Sequence, residues 1–196
     1  IYREERTRER AAKTSISSET KKAADKINVI QPDGSMSPLN LERLQTIVQE
    51  ACFGLEDVSE EEIIDEAMKN IFDGVSSQEL STSLVITART LIEQEPNYSY
   101  AAARLLCDNL RTEALGFLGL ADSATQGEME QIYPKALKTF LEQGVKKELL
   151  NPRLGEFDLS RLGEAIEPAR DLKFTYLGLQ TLYDRYFIHS NDVRFE

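Results

Sequence analysis

The chain has 196 residues, 34 of them acidic against 23 basic, for a formal net charge of −11, and 41% of its residues are hydrophobic. That hydrophobic share supports a packed core, and the length fits one large domain or a small domain plus part of another. The acidic balance argues against a nucleic-acid or anionic-membrane surface, because both repel the molecule on average.

Residues Ile1–Thr14 (IYREERTRERAAKT) are rich in Arg and Glu at helical spacing, as on an exposed helix end. Ser15–Lys26 is small, polar and charged, and reads as a linker. The first residue is Ile1 rather than Met, so the sequence is expected to be part of a longer chain. Ile27–Ile30 is short and β-branched. Pro32-Asp33-Gly34-Ser35 is a turn, in which Pro presets φ and Asp-Gly tolerates a positive φ. Met36–Leu39 returns, giving a predicted β-hairpin. Asn40 caps a helix whose inner face is Leu41, Leu44, Ile47, Val48 and Ala51, and Gly54 ends it.

Ser59 caps a second helix with Glu60, Glu61 and Glu62 in its first turn, where acidic side chains complement the helix dipole. Ile63, Ile64, Ala67, Met68 and Ile71 form its apolar face, and Asp73-Gly74 closes it. Ser76 or Ser77 opens a third helix with Leu80, Leu84, Ala88, Leu91 and Ile92 inward, broken by Pro96-Asn97. A fourth runs from Tyr98 to Leu118, with Tyr100, Ala103, Leu106, Leu110 and Ala114 buried. Beyond the polar turn Ala121–Gly127, Glu128–Leu150 reads as a helix that tolerates Pro134 near its start. Asn151-Pro152 and Gly155 make a loop, and Asp158 caps a short helix through Ile166. Leu172–Phe187 reads as one more helix. The tail Ile188–Glu196 holds His189 and a turn-like Ser190-Asn191-Asp192.

Cys52 and Cys107, with no CxxC, exclude a zinc ribbon or a thioredoxin-type motif. With no signal peptide in view they read as reduced core thiols of a cytoplasmic protein. No apolar run approaches the roughly 20 residues that span a bilayer. The Glu60–Glu62 run reads as helix charge bias rather than a metal site, and lone His189 as a surface residue. Tyr98 and Tyr100 read as core or capping residues, and Tyr176, Tyr183 and Tyr186 as packing groups. There is no Ser/His/Asp or Cys/His constellation, P-loop or GxGxxG.

Four stretches together resemble one family. VIQPDGSMSPLNLERLQ (Val29–Gln45) resembles the opening of an ATP-cone, a small allosteric nucleotide-binding domain. FDGVSSQEL (Phe72–Leu80) and PNYSYAAARLLCDNLR (Pro96–Arg111) stand where the later cone helices belong. RDLKFTYLGLQTLYDRYF (Arg170–Phe187) is similar to the start of the catalytic region of class I (aerobic) ribonucleotide reductase large (alpha) subunits. Ile1–Lys13 resembles the last helix of another cone, which implies two cones in tandem.

The resemblance implies a mainly α fold: an ATP-cone of β-hairpin plus helix bundle, then a helical segment leading into the reductase barrel. The implied divisions are a preceding cone helix over 1–14, a linker over 15–26, a cone over 27–118 and the N-terminal helical part of the catalytic domain over 119–196. The implied parent enzyme reduces ribonucleoside diphosphates to deoxyribonucleotides for DNA synthesis. It does so by thiyl-radical chemistry with a thioredoxin-type reductant, under ATP and dATP as allosteric effectors. Its implied partners are the barrel of the same chain, a small radical-generating subunit and further large subunits in a homo-oligomer, with neither nucleic acid nor membrane. No catalytic residue and no metal site is expected within these 196 residues.

An active cone carries a Lys-Arg pair on its first strand just before the turn, because phosphates need fixed cations and donors nearby. The matching positions here are Gln31 and Pro32. A basic residue late in the fourth helix aligns with Thr112, and one turn earlier stands Asp108, which repels phosphate. The His or polar residue of the third helix is Ser81. Val29, Gln31, Asn40, Arg43, Ser77, Ser81 and Thr112 outline the pocket, and its single Arg cannot offset a triphosphate. Arg43 reads more simply as a solvated helix-face residue, and Asp33-Gly34 as a plain hairpin turn. The cone is therefore expected to be degenerate, to hold no nucleotide, and to act as a spacer or relay. The alternatives are a functional ATP/dATP cone working through Asn40, Arg43 and Ser77, or an unrelated helical protein–protein module. The closing stretch argues against the module and against a glycyl-radical reductase, and the lack of CxxC against a cone-containing repressor.

Overall fold

A computed structural model describes residues 26–196 together with Thr20 and Ala24. The expectations for residues 1–14, and for most of 15–26, lie outside the described residues. Within the stretch read as linker, Thr20 and Ala24 are helical and buried, and the Thr20 hydroxyl donates to Asp65 at 2.6 Å. The chain forms two compact units, one running to Leu105 and the other spanning Leu106–Glu196.

In the first unit, β1 (Asn28–Ile30) and β2 (Met36–Pro38) pair antiparallel, with Val29 opposite Ser37. The Gln31 N–H donates to the Ser35 carbonyl at 2.8 Å and the Gly34 N–H to the Gln31 carbonyl at 2.9 Å. This closes a three-residue loop in which Gly34 takes the left-handed φ of 82°. A short strand absent from the sequence reading, β3 (Val75–Ser76), runs parallel to β1 and makes the sheet order β2-β1-β3. Two residues are too few to show alternation, so only the sheet reveals it. Asp73 anchors it: its Oδ1 accepts the Asn28 backbone N–H at 2.7 Å and the Asn28 side-chain amide at 2.9 Å.

Three caps behave as their residue types dictate. The Asn40 side chain accepts the Arg43 N–H at the start of α1 (Leu41–Cys52), and Ser59 accepts the Glu62 N–H at the start of α2 (Glu60–Met68). Ser76 and Glu79 form a reciprocal capping box on α3 (Ser77–Thr90). The unit's core is drawn from all of these: Val29 of β1, Leu44 and Val48 of α1, Ile63, Ile64 and Ala67 of α2, Val75 of β3, Leu84 and Ala88 of α3. Tyr98, at the start of α4 (Tyr98–Leu118), is wholly buried; its hydroxyl accepts the Ser59 N–H at 3.0 Å and donates to Glu62 at 2.8 Å. It is both core and cap.

In the second unit, α5 (Met129–Lys146) carries Pro134 in its second turn. It stops four residues before the expected Leu150. Glu148 adopts a left-handed φ of 60°, its N–H reaches the Val145 carbonyl, and the Leu149 N–H reaches the Gly144 carbonyl. This is a Schellman-type ending without its usual glycine, which is why the sequence shows no stop. Asn151 caps a 3₁₀ turn over Pro152–Glu156, and Asp158 caps α6 (Leu159–Glu164). The predicted helix over Leu172–Phe187 is divided: a 3₁₀ turn covers Pro168–Lys173, Phe174 and Thr175 are extended, and α7 begins at Tyr176 and ends at Arg185. The tail closes into a hairpin of β4 (His189–Ser190) and β5 (Val193–Arg194). Asn191 and Asp192 sit at φ 53° and 63°, the two-residue turn whose twist matches the strands. Phe195 then turns inward, 1% exposed, stacked on Phe117 at 4.7 Å and against Phe140 at 5.6 Å.

Helices α5 and α6 touch at a glycine. A Cβ on Gly163 would stand 2.8 Å from the Pro134 Cα, a backbone atom that cannot swing aside. Gly163→Ala should cost about 1–3 kcal/mol by overpacking. Gly155→Ala, where nothing lies within 4 Å, should stay within about 0.5 kcal/mol of wild type. Urea unfolding read at the second unit checks both, and equal midpoints for the two variants would refute the contact. On the same assay Phe195→Ala should lose about 3–5 kcal/mol.

Candidate functional site

The residues outlined for nucleotide binding divide along the hairpin. Val29 is a core side chain of β1 and offers no polar group. Gln31 follows β1 at the turn end, and the register of Ile30 against Ser76 brings Ser77 alongside it. Asn40 stands at the opposite end of the strands, beside Ile27, whose carbonyl accepts the Leu39 N–H. Four residues of extended chain separate these ends by roughly 13 Å. Thr112 lies on α4 within the second unit and is exposed.

The side chains of Gln31, Asn40 and Ser81 are already engaged in building the fold. The Gln31 amide donates to the Ser37 hydroxyl at 2.8 Å, across the hairpin. The Asn40 oxygen caps α1 on the Arg43 N–H at 2.9 Å. The Ser81 hydroxyl donates to the Ser77 carbonyl one turn below, at 2.9 Å. Arg43, the one cation of the set, is half-buried on the first turn of α1.

A helix N-terminus beside a strand end is where an anion would ordinarily settle. At α3 the protein supplies its own. Glu79 Oε2 accepts the Ser76 N–H at 3.0 Å and the Ser76 hydroxyl at 2.7 Å, and these bonds hold its carboxyl below the usual carboxylate range. The hairpin tip is also negative: side-chain and backbone bonds from Ser35 lower the Asp33 pKa in the same way. Residues 26–105 carry fourteen Asp and Glu against five Lys and Arg, a formal charge of −9. A surface cleft of about 540 Å³ runs along α3, lined by Asn70, Gln78, Glu79, Thr82, Ser83, Ile86 and Thr87. Its only charged wall is the Glu79 carboxylate, so it too offers a polyphosphate no counter-ion.

Asp108, expected to face a phosphate, does something else. It is 6% exposed within the second unit and faces Arg111, 9% exposed, at 3.5 Å. Arg111 in turn donates to Gln126 at 2.5 Å, and Gln126 to the Pro168 carbonyl at 2.9 Å. Sequence reasoning missed this network; the i,i+3 spacing of Asp108 and Arg111 was its one visible signal. Cys52 is a core thiol that burial raises to about pKa 12, whereas Cys107 is only part-buried. His189 is exposed, as expected. Among the described residues no cluster of His, Cys, Asp and Glu has metal-binding geometry, and no helix is long and apolar enough to cross a membrane.

A family model described as the ATP cone domain matches residues 27–113. The chain is similar to the ribonucleoside-diphosphate reductase subunit alpha of Chlamydia pneumoniae, 33% identical over 189 residues that make up 95% of this chain and 18% of that protein. The Helicobacter pylori (strain 26695) subunit alpha is 32% identical over 163 residues, 83% of this chain and 19% of that protein. For the Escherichia coli subunit alpha the identity is 26%, again over 83% of this chain and 20% of that protein. The chain thus spans about a fifth of the length of the relatives it matches.

Asp73 and Glu79 both have carboxyl pKa values lowered by bonds to backbone and side-chain donors, from Asn28 and from Ser76 respectively. A depressed folded pKa adds stability above the unfolded value of about 4, lost as pH falls through the folded value. The first unit should therefore weaken below about pH 4. Asp73→Ala and Glu79→Ala should be less stable at pH 7 and lose less on further acidification. Circular-dichroism melts between pH 7 and pH 2 check this, and slopes parallel to wild type would refute it.

Proposed function

Residues 27–113 being an ATP-cone domain in a chain homologous over most of its length to ribonucleoside-diphosphate reductase alpha subunits, we propose that this chain is the regulatory N-terminal region of such an enzyme and that its cone carries no nucleotide. The parent enzyme then reduces ribonucleoside diphosphates to deoxyribonucleotides in the cytoplasm. It draws electrons from a thioredoxin-type reductant and works with a small radical-generating subunit and further alpha subunits. ATP and dATP are its effectors, read elsewhere in the protein. On this reading residues 1–14 end a preceding cone, and this cone spaces that element from the catalytic region or relays its state.

The observation that carries the proposal is the use of Glu79. At the α3 N-terminus, near the turn residues Gln31 and Pro32 that follow β1, the Glu79 carboxylate takes the Ser76 N–H and hydroxyl and sets a negative charge where a phosphate would have to approach. Placing a triphosphate there sets it against that carboxylate and Asp33, with Arg43 as the only cation of the outlined set. The competing reading, an active cone using Asn40, Arg43 and Ser77, has against it that the Asn40 oxygen is the α1 cap.

Isothermal titration of the chain with dATP and with ATP should give no saturable heat at micromolar ligand. Saturable binding there would end the proposal. The paired substitution Gln31→Lys with Pro32→Arg, which returns two cations to the tip, should raise affinity above the wild-type background if charge is what the site lacks.

A further inference from the structure

The sheet of the first unit buries one face and leaves the other open. Val29 points inward at 3% exposed, so its neighbours Asn28 and Ile30 point outward. Across the hairpin Ile30 stands opposite Met36 and Asn28 opposite Pro38, which puts all four on the open face. Ile30 is 37% and Met36 61% exposed, and Pro38 is exposed as well. Single exposed apolar residues are ordinary, but these are cross-strand and same-face neighbours and make one patch.

Carboxylates rim it. Asp33 stands at the hairpin tip, where its Oδ1 accepts the Ser35 N–H at 2.9 Å. At the opposite end Asp73 accepts the Asn28 side-chain amide, and Glu79 accepts the hydroxyl of Ser76, the residue beside Ile30 in β3. These bonds lower all three carboxyl pKa values, which keeps the rim negative at neutral pH. Residues 26–40 and 73–79, which build the sheet and its turns, set only Lys26 against these three.

We propose that this open sheet face is a docking surface for a segment of another protein that presents an apolar side chain flanked by Lys or Arg. An apolar centre inside a charged rim is the anatomy of a protein–protein contact: the centre supplies burial, and the rim selects and steers a partner of opposite sign. The partner lies on the face rather than adding a strand, because the edge strand β2 ends in Pro38, which has no N–H to donate. The patch is small, which suits a weak and transient contact. The proposal goes beyond the spacer-or-relay reading by giving the unit a partner, and it stands whether or not the cone takes a nucleotide.

Fluorescence anisotropy on the whole chain tests this, with a short labelled peptide of alternating Lys and Leu as the probe. The wild-type chain should bind it saturably, and salt at about 0.5 M should weaken the binding because rim charges are screened. Met36→Thr and Ile30→Thr keep strand-forming side chains and should each weaken it about fivefold or more. Met36→Gln, of similar length, is the second variant where threonine disturbs the strand. Asp33→Asn, whose amide oxygen still accepts the Ser35 N–H, should weaken it about twofold to threefold. Phe53→Ser, which removes an apolar side chain 77% exposed just past the end of α1, should leave it unchanged. Absence of saturable binding overturns the proposal. So does an affinity that ignores both Met36 variants and Ile30→Thr, or equal binding of a peptide with Glu in place of Lys. Self-association in sedimentation equilibrium that Met36→Thr abolishes would assign the face to a second copy of this chain and overturn it as well.

Discussion

Backbone N–H groups at the ends of strands and helices must find acceptors, and in this acidic chain its own carboxylates supply several of them. Asp73 closes the start of β1, Glu79 the start of α3, and Glu113 the end of β5. Two of these bonds tie together segments the sequence keeps apart, by 45 positions for Asp73 and 81 for Glu113, while the Glu79 bond is local. Carboxylates used in this way hold the fold, and they also set a negative field where a polyphosphate would have to arrive. The same interaction thus supports the architecture of the first unit and sets the sign of its surface.

The second unit is organised around a different kind of restraint. A nearly buried Asp108–Arg111 pair reaches through Gln126 to the Pro168 carbonyl, while Phe195 fills the space beside Phe117 and Phe140. Buried pairs of this kind add little net stability, because desolvation offsets the attraction. Breaking one leaves a charge without its counter-ion, so such a pair fixes geometry more than it adds free energy. Here it fixes the segment around Pro168 that leads into α7. The aromatic contacts supply the apolar burial that the polar network does not.

Much was legible in the sequence because local chemistry decided it. Hydrophobic spacing gave the helices and most of their inner faces, and Asn40, Ser59, Ser76 and Asp158 are caps whose side chains bond the following backbone whatever else surrounds them. Asp33-Gly34 specified the hairpin turn, since glycine takes a positive φ without steric cost. That Gln31 and Pro32 carry no charge was also plain, because residue identity needs no coordinates.

What the sequence could not decide was set by partners distant along the chain. Two-residue strands such as β3 exist only because β1 lies beside them, Glu148 ends α5 in a conformation that Glu does not advertise, and Phe195 near the end of the tail becomes core only when Phe117 and Phe140 meet it. The fate of the polar groups with distant partners was likewise tertiary. Composition showed the carboxylates to be in excess, and only the folded chain determined which donors Asp73 and Glu113 would hold. Periodicity and capping act over a few residues and are written locally, whereas a hydrogen bond across the fold depends on where two remote segments come to rest.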